Sequence, residues 1–362
     1  ASPLCYSPEV ARQCSGEIRL CSVSECDDLT VLLSGSLAFD HIMVFPGHFE
    51  DHILPDKIHV LNVSFLVDTL DRLRGGVAGN IAYNMALLQQ PCRLAATVGT
   101  DFDDYRGVLE SMGVDTSGIR VVDGELTASA FITTDRADNQ ITGFYPGAMG
   151  KAADIAMTDH VADVVLGIVS PTATDAMRVH ARQFADAGID YVYDPGQQII
   201  SLNASSLTEG IERARMLIAN DYELAMISEK TALSRDDLIG GCRTVVVTFG
   251  ELGSTIYDDF GAVEYKIPAV RARNVVDPTG AGDGYRAGLV SAMLTGLSWE
   301  DAGRVASLAA TYVVEVKGTQ SHAYSIEEFS ERFQQAFPEH AEAVDRLGNQ
   351  NHDQAARSAS VG

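Results

Sequence analysis

The stretch Asn274-Val275-Val276-Asp277-Pro278-Thr279-Gly280-Ala281-Gly282-Asp283-Gly284-Tyr285-Arg286-Ala287-Gly288 decides how the rest of this chain is read. It begins with a short apolar run, passes Pro278 and breaks at Gly280-Ala281-Gly282 before Asp283. A helical pattern then starts, with Ala287, Leu289, Val290, Met293 and Leu294 recurring on one face until Gly296 stops it. A strand, a glycine turn and a helix N-terminus in that order aim several backbone N–H groups at one spot, backed by the positive end of the helix dipole. Such a spot binds anions, phosphate above all. Asp283 sits at its mouth, where a carboxylate would repel phosphate. It is better suited to take a proton from a hydroxyl while the backbone of Gly280, Ala281 and Gly282 holds an incoming phosphoryl group. The plainer alternative is a turn whose Asp caps the helix. The spacing matches neither a Walker A loop nor a dinucleotide fingerprint.

Composition narrows the class of partner. At 362 residues and 46% hydrophobic content the chain can build one large α/β domain or two smaller ones. No run of about 18 apolar residues suggests a membrane span. Acidic residues number 50 against 26 basic, a formal charge of −24, which argues against nucleic acid as a partner. An uncharged acceptor suits such a chain better than a sugar phosphate. Cys5, Cys14, Cys21 and Cys26 contain no Cys-x-x-Cys and no paired histidines, so zinc is not expected. Residues 1–29 lack the basic start and apolar core of a secretory signal and are expected to form a disordered extension. The remainder reads as a reduced, cytoplasmic enzyme.

Outward from the glycine turn, strands are expected at 29–33, 94–98, 164–169, 191–193, 216–219, 244–248 and 254–257. Helices are expected at 174–187, 205–214, 222–226, 283–295, 299–314 and 325–337. Alternating strands and helices predict a parallel sheet covered on both faces. The first strand runs into Ser34-Gly35-Ser36-Leu37-Ala38-Phe39-Asp40, an acid at a strand's carboxyl end, where such sheets place ligands; Asp40 could also simply cap a turn. Arg74-Gly75-Gly76 leads into a helix carrying Asn80 one turn in, and the glycines permit close approach of a ligand. The β-rich run 59–67, which contains Ser64, and the hairpin pattern of 126–135 with 140–145 predict a small extra sheet. Phe144 there serves either as an aromatic wall for an acceptor or as packing within that sheet.

Asp277 to Gly288 resembles the second signature of the ribokinase-like (PfkB) family of sugar and nucleoside kinases, with Gly284-Tyr285 where that family usually has Ala-Phe. Gly75-Gly76, Asn80 and Val98-Gly99-Thr100-Asp101 resemble its first signature, although many relatives have a glycine where this chain has Asp104. The likeness spans about residues 30–340. It implies an α/β fold: a ribokinase-like three-layer α/β/α domain over 30–345 with a mostly parallel central sheet. It also implies a β-sheet lid from about 42–68 and 124–147, ahead of a polar tail at 346–362. Within the family, the segments around Asp40, Phe45-Pro46-Gly47, Asn80 and Phe144 look most like the bacterial adenosine kinases.

Carried over by that resemblance, ATP is the phosphate donor, with Mg²⁺ beside Asn220 and Glu223, the latter acting through the ion's water shell. Thr248, Gly250 and Gly253 resemble the family's nucleotide-binding turn. Ser36, Asp40, Ser64, Gly76 and Asn80 would line a sugar, Asp40 holding two ribose hydroxyls, and Phe144 would stack on a base. Ala130 stands where a second lid aromatic is expected, which keeps a ribose- or fructose-type sugar kinase as the alternative to a nucleoside kinase. Asp277 is expected to orient the anion loop or to ligate a monovalent cation such as K⁺. An exposed lid edge suggests a homodimer.

Overall fold

The protein is described here by a computed structural model covering residues 30–53, 62–137 and 139–347. The expected extension with its four cysteines, the start of the 59–67 run and the tail from 348 lie outside the described residues. In chain order come β1 (Thr30–Ser34), β2 (Ala38–Val44), β3 (Thr69–Gly75), α1 (Val77–Leu87), β4 (Cys92–Val98), α2 (Asp103–Ser111) and β5 (Asp115–Val121). The chain continues with β6 (Ala128–Thr134), β7 (Gln140–Tyr145), β8 (Val164–Val169), α3 (Thr174–Asp186), β9 (Tyr191–Tyr193) and α4 (Ala204–Glu212). The last third holds β10 (Met216–Asn220), α5 (Asp221–Thr231), α6 (Arg235–Gly241), β11 (Thr244–Thr248), β12 (Ser254–Asp258) and β13 (Val263–Ile267). It ends with α7 (Ala281–Leu294), α8 (Trp299–Val314) and α9 (Ile326–Ala336).

The large sheet runs β13-β12-β11-β10-β9-β8-β1-β4-β5, parallel from β11 to β5, with β12 and β13 antiparallel at one edge. Inner strands such as β1, β8, β10 and β11 are nearly continuous apolar runs because both faces are covered there. Alternate residues feed two cores. Val31, Leu33, Met216, Ile218 and Val246 join residues of α1, α2, α7, α8 and α9 on one side. Leu32, Leu217, Ala219, Val245 and Val247 join residues of α3 to α6 on the other. That is the three-layer architecture expected from the sequence.

A second, four-stranded sheet is ordered β3-β2-β6-β7. Its boundaries correct the expected ones. The described residues of the 59–67 run form no strand; the partner of β2 is Thr69–Gly75, paired along its whole length from Val44↔Thr69 to Ala38↔Gly75. β3 is exposed from Thr69 to Arg72 and carries Asp71, Arg72 and Arg74, so its strand state comes from that pairing and not from local preference. Residues 274–278 are also not a strand. Val276 and Asp277 instead donate their N–H groups to the carbonyl of Val314, at 2.8 and 3.2 Å, hanging the loop from the end of α8.

Candidate active site

β1 ends in a turn that admits only glycine at Gly35, where a Cβ would lie 2.0 Å from Ser170 Oγ and 2.8 Å from Ala78 Cβ. Ser36 then serves the start of α1 from outside the helix: its Oγ accepts from Val77 N–H at 3.1 Å and its carbonyl from Ala78 N–H at 3.0 Å. Gly76, the residue before α1, has φ +88°, which a side chain would strain. Asp40 lies two residues into β2 with its carboxylate over Gly75, where a Cβ would come within 2.6 Å of Oδ2. Burial, and after it the charge of Asp277, holds the Asp40 carboxyl above its usual range. Ala130 on β6 stands opposite Asp40, and Phe144 on β7 opposite Ala130, so the three share one face of the small sheet.

Asp283, in the first turn of α7, is only 7% exposed. Asn80 Nδ2 donates to its Oδ2 at 2.8 Å, and Gln320 Nε2 donates to Asn80 Oδ1 at 2.9 Å. Gln320 also donates to the hydroxyl of Tyr105, which donates to the Gly75 carbonyl at 3.0 Å. This chain of bonds fixes which end of the Asn80 amide faces the carboxylate. Burial pushes Asp283 up to about 6, against the opposing pull of Arg286 and of the Asn80 bond. One turn further, Arg286 forks onto Asp194 just past β9: Nη2 donates to Oδ1 at 2.7 Å, while Nε stands 2.6 Å from Oδ2 as an ion pair without hydrogen-bond alignment. Its Nη1 stands 3.6 Å from Asp283 Oδ1. Burial pushes the Asp194 carboxyl up to about 7, against the opposing pull of Arg286.

The turn before α7 is held from both ends. Gly280, with φ +82°, caps the helix, and Asp277 accepts from Thr279 N–H at 3.0 Å and from Gly318 N–H at 3.1 Å. Across the cleft, Asn220 and Glu223 form a capping box at the start of α5: Glu223 N–H donates to Asn220 Oδ1 at 2.7 Å and Asn220 N–H to Glu223 Oε2 at 2.8 Å. Among the described residues no group of three or more His, Cys, Asp or Glu is placed to hold a metal ion. Glu223 keeps Oε1 free of hydrogen bonds, a donor suited to a hydrated ion that is held mainly by phosphates. A cleft of about 490 Å³ joins these parts, from Asp40 and Phe144 past Asp283 to Asn220, Glu223 and Thr248.

Two helix N-termini, a glycine turn and a buried carboxylate around one cleft suit phosphoryl transfer to a hydroxyl, and comparison with known proteins agrees. The description of the pfkB family carbohydrate kinases matches residues 37–326. The chain belongs to that family. It is therefore a phosphotransferase acting on an alcohol group. The chain is 33% identical over 311 residues to a nucleoside kinase of Methanothermobacter thermautotrophicus, covering 85% of this chain and 96% of that one. Its fold matches the nucleoside kinase of Burkholderia thailandensis in complex with inosine, with 37% identity, a TM-score of 0.76, and coverage of 85% of this chain and 98% of the other. A complex of the same enzyme with ADP and inosine gives 39% identity and a TM-score of 0.74 over 85% and 96%. The small sheet of this kinase is separate from the large one, and among the described residues no helix is long and apolar enough to cross a membrane.

The cleft of this kinase brings together Ser36, Asp40, Gly76, Asn80, Phe144, Asn220, Glu223, Thr248, Gly280, Gly282 and Asp283. It does not bring in Ser64, which is exposed on the segment before β3, because the lid strand expected to carry Ser64 is a different one. Gly250 and Gly253 lie in the hairpin between β11 and β12 and off the cleft surface; Gly253 is needed there because a Cβ would meet the Ile267 carbonyl at 2.1 Å. Ala281, the first residue of α7, is likewise off the cleft surface, and its N–H donates to the Pro278 carbonyl at 3.2 Å. Sequence reasoning missed Asp194, Arg286 and Gln320. The signals were present: an acid directly after a predicted strand, and a basic residue one helical turn beyond Asp283.

Proposed function

We propose that this kinase transfers the γ-phosphoryl group of ATP to the primary hydroxyl of a nucleoside, adenosine foremost, giving the nucleoside monophosphate. The observation that carries the reading is the placement of Asp283, buried at a helix N-terminus and bonded to Asn80, in the same cleft as Asp40 and Phe144. Asp40 accepts hydrogen bonds from two ribose hydroxyls, and Phe144, 54% exposed, offers its ring to the base. The likeness to kinases described as acting on nucleosides, one of them holding inosine, supports a purine nucleoside.

Asp283 takes the proton of the attacking hydroxyl, and the amides of Gly280, Gly282 and Asp283 receive the charge of the transferring group. Asn80 holds the base in place. Mg²⁺, bound with the nucleotide near Glu223, neutralises charge on its phosphate oxygens. Asp277 orients the turn with both carboxylate oxygens engaged, and a K⁺ ion beside it belongs to the same proposal. So does a homodimer through the lid, whose outer face exposes Leu70, Phe131 and Ile141.

Ala130 opposite Phe144 leaves the base one aromatic wall, and that single fact favours a second reading, a ribose- or fructose-type sugar kinase. ADP release with ATP and Mg²⁺ over adenosine, inosine, other nucleosides, ribose and fructose, with Asp283→Asn as blank, separates the two. Turnover of nucleosides at micromolar levels is expected; turnover of free sugars alone would remove the base from the account and return Phe144 to lid packing.

A further inference from the structure

The cleft is lined by four carboxylates, Asp40, Asp194, Glu223 and Asp283, and among the described lining residues Arg286 is the only cation. Any triphosphate bound there adds negative charge between Glu223 and Asp283. A helix end supplies roughly half a positive charge, which does not balance that load. Arg286 lies where the missing charge is needed, since its field acts on Asp194, Asp283 and Glu223 together.

We propose that Arg286 is the cation that meets the transferring phosphoryl group, and that Asp194 aims it. The role rests on the kinase reading above and deepens it. Nη2 of the guanidinium donates to Asp194 Oδ1, and Nε stands 2.6 Å from Asp194 Oδ2 as an ion pair, neither Nε nor Oδ2 having a hydrogen-bond partner among the described residues. The third nitrogen, Nη1, lies against the first turn of α7, so close that a Cβ on Gly282 would sit 2.5 Å from it. Position 282 therefore has no space for a side chain while Arg286 occupies this place, and Nη1 stands beside the amides of the anion-binding turn. At 3.6 Å from Asp283 Oδ1 it is beyond hydrogen-bond reach, and among the described residues Nη1 donates no hydrogen bond. Its N–H groups are left for the cleft.

The side chains of Arg286 and Asp194 are 12% and 0% exposed, so the fork is fixed before any ligand arrives. A cation held in this way stabilises charge without reorganising as the reaction proceeds. The step itself balances without it. The acceptor oxygen bonds to the γ-phosphorus, the bond to the bridging oxygen breaks, ADP leaves with that electron pair, and the proton goes to Asp283. Nη1 donates to an equatorial phosphoryl oxygen throughout, and Asp194 is a positioning residue.

Binding separates this role from a purely structural ion pair. The chain is titrated in Mg²⁺ buffer with ADP and with a non-hydrolysable ATP analogue, as wild type, Arg286→Gln, Arg286→Lys and Asp194→Asn. Arg286→Gln is expected to leave ADP affinity within about twofold and to weaken the analogue roughly tenfold or more, the worth of a hydrogen bond to a charged group. Arg286→Lys keeps a charge beside Asp194 but not the fork. It should show the same selective loss and serves if the Gln variant does not fold. Asp194→Asn should lose in the same direction, by less. Equal losses for both nucleotides, or none, would overturn the assignment while leaving the kinase intact. A wild type that binds neither nucleotide would overturn the kinase reading and this role with it.

Discussion

A carboxylate that is 7% exposed has lost most of its water, and Asp283 keeps its charge only through Asn80, the nearby Arg286 and the end of α7. Its folded-state value near 6 lies above the ordinary 3.8. Such a group favours the fold below the lower value and progressively opposes it as pH rises through the higher one. Two outcomes follow at this scale. Turnover should fall as pH drops below about 6, where the base is protonated, and Asp283→Asn should lose roughly 10²–10⁴-fold in kcat with no such dependence. The same variant should melt higher than wild type at pH 8 and no higher at pH 4, because the amide keeps the Asn80 contact region without a buried charge. Rate profiles and thermal melts at the two pH values check both. A variant no more stable at pH 8 would mean that Arg286 offsets the whole cost of burial.

At the scale of elements, the lid is tied to the main domain at its base, where Phe39 joins the larger core and Arg72 pairs with Asp101. Ala38, Ala128 and Met149 form a small core of their own, and Phe39 packs on Phe102 and Tyr105 with the Arg72 guanidinium 3.6 Å from its ring centre. Its far end is tied separately. Phe45, Phe49 and Phe65 cluster with ring centres 4.9–5.9 Å apart. Asp135 accepts from the N–H groups of Phe49, Ala137 and Asn139, each at 2.9 Å, joining the β6–β7 turn to the loop after β2. Those bonds pull its carboxyl down to about 2. Asp135→Ala should loosen the lid's far end, raising the KM for the acceptor several-fold while ADP affinity stays unchanged. Steady-state kinetics beside nucleotide titration read the split, and an equal loss of ADP binding would show that the lid's far end acts on the whole fold.

Across the whole molecule, a formal charge of −24 sets up self-repulsion that the two apolar cores must overcome. Added salt screens exposed charges beyond about 10 Å at 0.1 M, so thermal stability should rise between 0.05 and 0.5 M NaCl, roughly by a few degrees. Melting curves across that range check it, and a flat response would mean that local ion pairs such as Arg332–Glu315 already neutralise the field.

The sequence by itself determined the central sheet and the place of the glycine turn before α7. Continuous apolar strands such as Val245 to Val247 have no stable place except between two helical layers, and Gly280 breaks the chain just where α7 begins. Those are local or periodic properties, written wherever the residues stand. What only the tertiary structure decided is long-range. Thr69–Gly75 reads as a polar segment and becomes a strand because β2 offers it seven paired positions. Ser64 leaves the site for the same reason. The Asp194–Arg286 fork spans 92 residues, and the Gln320–Asn80–Asp283 chain links a loop to two helices; no spacing rule reaches across such separations. Hydrogen bonds and ion pairs of that kind are fixed by where the sheet and helices set the backbone, and the backbone is placed by burial before any polar partner is chosen.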